Sequence, residues 1–99
     1  MNLSEPQKKF LRRLGHQLHP VIMIGDAGLS DSLLSEFETT IGHHELIKVR
    51  VRTGNRRTRD ELIRKLCQTA SAELVTRIGN VALIYRRNEE KPRIPLPPA

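Results

Sequence analysis

Leu46-Ile47-Lys48-Val49-Arg50-Val51-Arg52-Thr53 alternates apolar and polar residues with a period of two. Only a strand sends successive side chains to opposite faces. Ile47, Val49 and Val51 therefore predict a packed face, and Lys48, Arg50 and Arg52 a wet, basic one. Helical spacing returns on both sides of this strand. Upstream, Ser30 is a candidate N-cap, and Leu33, Leu34, Phe37 and Ile41 form a stripe that ends near Gly42. Downstream, Thr58 and Glu61 read as a capping box ahead of Leu62, Ile63, Leu66 and Ala70. Asp60–Arg64 and Glu61–Lys65 are four-apart pairs in the favourable order.

Further out, the apolar run Val21–Ile24 predicts a strand that is central or covered on both sides. Before it, Ser4, Pro6 and Gln7 form a helix start. Leu3, Phe10, Leu11, Leu14 and Leu18 make that helix's apolar side, opposite Lys8, Lys9, Arg12 and Arg13. Two strands near 73–78 and 81–86 are joined by a Gly79-Asn80 hairpin turn. The order is helix, strand, helix, strand, helix, strand, strand. Strands joined through helices run parallel and the last hairpin adds an antiparallel partner. The expected fold is α+β in two layers with a four-stranded mixed sheet. Residues 1–87 form the domain, and 88–99, rich in charge and proline, form an extended or mobile tail. The dipeptides at 25–26, 54–55 and 79–80 suggest shared turn chemistry where three strands end.

Ninety-nine residues make one small domain. Lys and Arg number 17 against 11 Asp and Glu, for a net charge of +6. This balance points first to nucleic acid and second to an anionic membrane surface. The membrane reading is the weaker, because the core needs the apolar side of the first helix. No apolar run is long enough to span a bilayer. The N-terminal residues hold no apolar signal core, so a cytoplasmic location is expected. Cys67 is the only cysteine, which excludes an internal disulfide, and it reads as a packed thiol. His43-His44-Glu45 cannot converge on one metal ion, since neighbouring side chains diverge. No catalytic residue, metal or cofactor is expected.

The charge is segregated. No Lys or Arg occurs from Leu14 through Ile47, whereas Lys48 to Arg59 carries six cations and no acid. Lys48, Arg50 and Arg52 form a row on the strand, and Arg56, Arg57 and Arg59 crown the next helix start. Cations there oppose the helix dipole, and an anionic partner relieves that cost. Gly25-Asp26-Ala27-Gly28 lets backbone approach a ligand closely ahead of a helix N-terminus. Phe10 and Phe37 belong to the core stripes, so only Tyr85 is left among the Phe, Tyr and Trp residues to stack a base. Contacts to phosphate and sugar are therefore expected to dominate. Two rival readings stand beside nucleic-acid binding. One is an adaptor whose acidic second helix (Asp31, Glu36, Glu38) docks a basic ribosomal protein; the other is an enzyme using His44 and Glu45.

The Gly25-Asp-Ala-Gly28-Leu29-Ser30 loop, the His43-His44-Glu45-Leu46-Ile47-Lys48-Val49 junction and the Gly79-Asn80 hairpin resemble the YhbY family of stand-alone bacterial CRM domains. The similarity runs from Leu3 into the C-terminal tail. It implies a fold like the C-terminal domain of translation initiation factor three. It also implies RNA binding without catalysis, on precursors of the large ribosomal subunit. Ribosomal RNA is then the expected partner, ribosomal proteins are possible neighbours, and the free protein is expected to be a monomer. The family's G-x-x-G loop maps onto Gly25, Asp26, Ala27 and Gly28, and its basic surface onto the first helix and the strand from Lys48. Asp26 departs from the neutral or basic residue common in that loop, and its carboxylate would repel a phosphate.

Overall fold

Ile47, Val49 and Val51 are buried on one face of a strand, as their alternation requires. The computed structural model describes residues 2–99. Its elements are α1 (Glu5–Gly15), β1 (Pro20–Ile24), α2 (Asp31–His44), β2 (Leu46–Val51), α3 (Arg56–Ala70), β3 (Glu73–Ile78) and β4 (Val81–Tyr85). The sheet order is β1-β2-β4-β3. β1 and β2 are parallel, and β4 pairs antiparallel with β2 and β3. Element order and mixed sheet agree with the sequence reading. Among the described residues no helix is long and apolar enough to cross a membrane.

The layering differs from the two expected. Ile22, Ile24, Val49, Ala82 and Ile84 meet Phe37, Ile41, Ile63 and Leu66 of α2 and α3 on one face. The other face is partly covered by α1, whose Leu11 packs with Leu46, Val75, Leu83 and Tyr85. Gly15 permits the close approach: a Cβ there would lie 2.7 Å from a Leu83 methyl. A single alternating strand reports one buried face, and a short helix covering half of the other leaves no clear trace in the pattern.

β1 is an edge strand, not a central one. Ile22 and Ile24 are buried, but Val21 and Met23 are 53% and 46% exposed. Pro20, which has no N–H to donate, fits the start of an edge strand. Leu14, expected in the core, is exposed because α1 turns its Leu11 side to the sheet.

The ends of elements follow local hydrogen bonds. Ser4 caps α1 in a full capping box with Gln7, as expected. Ser30 Oγ accepts from the Leu33 N–H at 3.2 Å. α2 runs past Gly42 to His44, and Glu45 ends it at φ 65°. α3 is capped by Asn55, whose Oδ1 accepts from the Thr58 N–H at 2.9 Å, so Thr58 is not the cap. Asp60 pairs with Arg77, and Arg57 pairs with Glu61 at 3.4 Å, in place of the two expected four-apart pairs. The Gly79-Asn80 turn has positive φ at Gly79 alone, the type II′ pattern.

Gly54 has φ 76°, and a Cβ there would meet Thr58 Cβ and Cγ2 at 2.7 Å. Gly54→Ala should therefore cost about 2 kcal/mol, the middle of the range for forcing a side chain into this region. An unchanged urea midpoint would contradict the turn geometry.

Residues 88–99 are extended, one of the two expected forms, and they dock on the domain. Ile94 and Leu96 pack against the α1-side core. Gln7 Nε2 donates to the Pro97 carbonyl at 3.0 Å. Glu45 holds the segment most firmly: its carboxylate accepts from the N–H groups of Asn88, Arg93 and Ile94 at 2.6, 2.7 and 2.8 Å.

Candidate nucleic-acid interface

β3 runs in the same direction as β1 and β2, because both β2 and β3 are antiparallel to β4. The three turns that follow these strands therefore gather at one end of the sheet. Arg52 N–H donates to Ile24 O, and Val51 N–H to Asn80 O, both at 2.8 Å. The N-termini of α2 and α3 open at the same end. The turns do not share one geometry, however. Gly54 and Gly79 take positive φ, whereas in the first turn Gly28 does so (φ 64°) and Gly25 does not. Gly25, Asp26 and Ala27 are exposed, and the Gly28 N–H closes the turn on Gly25 O at 3.0 Å.

The cations divide into two sets. Arg52, Arg56 and Arg57 are exposed at the turn end, beside the Gly25–Gly28 loop. Arg57 is partly neutralised by Glu61. Arg59 is committed to the fold, since its Nη1 donates to Gly54 O at 3.0 Å and its Nε is buried. The second set lies on the sheet face that α1 only half covers. Arg12 of α1 meets Lys48 and Arg50 of β2 across a cleft of about 380 Å³. Lys8 lies one turn before Arg12 on the same side of α1, whereas Lys9 and Arg13 face solvent. The loop is thus not interposed between the α1 and β2 cations: Arg12, Lys48 and Arg50 line one cleft, and the loop sits past the ends of β1 and β2. No acidic residue lines the cleft among the described residues. A larger cavity, between α3 and β3, is lined by charges of both signs: Arg64, Glu73 and the Arg77-paired Asp60.

The His43-His44-Glu45 junction has a structural duty. His43 and His44 are exposed and stack edge-to-face at 4.8 Å. Glu45 is fully buried and spent on the tail amides, so it cannot serve His44 as a base. This role went unseen in the sequence, where an acid beside two histidines reads as surface. Among the described residues no group of three or more His, Cys, Asp and Glu could hold a metal ion. Cys67 is buried, and desolvation, with Glu73 nearby, pushes its thiol up to about 11. It is a packed thiol, not a nucleophile.

The acidic face of α2 is weaker than its sequence suggests. Both Glu38 carboxylate oxygens accept from Arg86 Nη1 at 2.8 Å, and the same nitrogen donates to Ala70 O at 3.0 Å. Arg86 thereby ties α2, α3 and the end of β4 together, and Glu38, exposed like Asp31 and Glu36, has its charge paired.

Known proteins resemble this chain over nearly its whole length. Residues 3–86 match the CRS1 / YhbY (CRM) domain model. An RNA-binding protein of Haemophilus influenzae is 42% identical over 96% of this chain and 95% of its own length. A protein of Pseudomonas aeruginosa, named a probable RNA-binding protein, is 40% identical over 89% of this chain and 85% of its own. The solution structure of a Staphylococcus aureus protein superposes with a TM-score of 0.82 at 35% identity, covering 97% of this chain and all of that one.

Proposed function

The chain belongs to the CRS1 / YhbY (CRM) domain family, and we propose that it is a non-catalytic RNA-binding module that associates with precursors of the large ribosomal subunit. The relatives named as RNA-binding proteins support the general activity. The carrying observation is the meeting of Arg12, Lys48 and Arg50 in a cleft without an acid. Cations so arranged hold backbone phosphates and fix register, with little base readout. Lys8, Lys9 and Arg13 extend this contact along α1. Arg52, Arg56 and Arg57 extend it round the sheet end, where the Gly25–Gly28 loop meets the same strand of RNA. The protein acts as a cytoplasmic monomer and needs no cofactor.

The test is sedimentation of the tagged protein with ribosomal particles, with and without RNase, at low and moderate salt. Co-migration with a large-subunit precursor, lost on RNase or salt, is expected. Protein at the top of the gradient under every condition contradicts the proposal.

Asp26 supplies a local check on the loop. Its exposed carboxylate opposes a phosphate there, so Asp26→Lys should tighten RNA binding by about threefold, the size of one exposed charge contact. An unchanged affinity removes the loop from the interface.

A further inference from the structure

The cleft between α1 and the sheet is more than a cationic surface. Its floor and wall are aliphatic: Leu18, Leu83, Val81 and Ile78. Ile78 is 77% exposed, an unusual position for so large an apolar side chain. Phosphate contacts alone would leave this apolar area in water. The planar groups of Arg12, Arg50, His16 and His19 line the same cavity, and guanidinium and imidazole planes both stack bases. The volume of about 380 Å³ lies within the roughly 300–1,000 Å³ of small-ligand sites.

We propose that this cleft takes one unstacked base of the bound RNA, laid on the Leu18–Leu83 floor against Val81 and Ile78, with its flanking phosphates on Arg12, Lys48 and Arg50. The inference deepens the RNA-binding reading and rests on it. An anionic ligand with a flat apolar body matches both halves of the site. An acidic peptide matches only the charges.

The test compares an eight-residue oligouridylate with an abasic ribose-phosphate chain of equal charge and an oligoglutamate, by fluorescence anisotropy at low salt. The oligouridylate should bind about tenfold tighter than the abasic chain, the effect of one stacked base. Ile78→Ser, at an exposed position, should weaken oligouridylate about threefold and leave the abasic chain unchanged. Equal binding of oligouridylate and abasic chain overturns the pocket but leaves the phosphate reading standing. A base preference that Ile78→Ser does not touch overturns it too, since the base then sits elsewhere. Oligoglutamate binding as well as oligouridylate makes the cleft a peptide site. No binding of either nucleic acid overturns the pocket, and the sedimentation result then decides separately whether the RNA reading survives.

Discussion

Glu45→Ala should destabilise the protein by about 3–5 kcal/mol, because it leaves three partly buried backbone donors without their charged acceptor. The donors are the N–H groups of Asn88, Arg93 and Ile94, all within 2.8 Å of the carboxylate. A domain of this size has only about 5–15 kcal/mol in total, so much of its stability should vanish. Glu45→Gln separates charge from shape. One oxygen can still serve Arg93 and Ile94, but the new amide NH2 then meets the Asn88 N–H, donor against donor. Its loss should be smaller than that of alanine and still measurable. Glu45→Gly relieves the positive φ yet should remain well below the wild type, because the lost contacts outweigh the strain. Urea unfolding gives the ranking, and hydrogen exchange at residues 88, 93 and 94 shows whether the tail lifts first. Alanine within about 1 kcal/mol of the wild type would mean that the carboxylate does not anchor the tail.

The second large effect concerns binding. The triple substitution Arg12→Ser, Lys48→Ser and Arg50→Ser removes every cation lining the cleft. RNA affinity near physiological salt should fall on the order of a hundredfold, uniformly across sequences, since phosphate contacts do not read bases. The salt slope should shrink by about 2, at roughly 0.7 for each lost contact. Thermal melting guards against a folding artefact, because Lys48 and Arg50 are half-buried. Reversing Asp31 and Glu36 on α2 is the matched control. The RNA module should tolerate it, whereas an adaptor docked through that helix should lose its partner. Glu38 is left out because it is paired with Arg86.

Much of the fold is legible in the sequence because local patterns and tertiary packing agree. The alternation from Leu46 and the Ser4–Gln7 box each describe an element by its own residues. The larger misreadings involve distant partners. Val21–Ile24 reads as a covered strand because its outward residues, Val21 and Met23, carry no charge. They lie at the margin of an open apolar and basic sheet face, and no local pattern distinguishes that from burial. The sequence leaves the tail extended or mobile because its anchor is a carboxylate more than forty positions away. Glu45 itself looks exposed until that tail covers it. Of the candidate site, the cations were visible from charge alone. That Arg12 shares one cleft with Lys48 and Arg50 depends on α1 folding over the second face. Arg59, equally basic in sequence, is held by Gly54 O instead. His16 and His19 also line that cleft, a placement that no local pattern in the sequence reveals.

The central claim is that the cations on this face contact RNA phosphates, and its most direct test is the salt dependence of affinity for a ribosomal-RNA transcript. With roughly five contacts, the logarithm of affinity should fall against the logarithm of salt with a slope near −3.5. A slope near zero would contradict it.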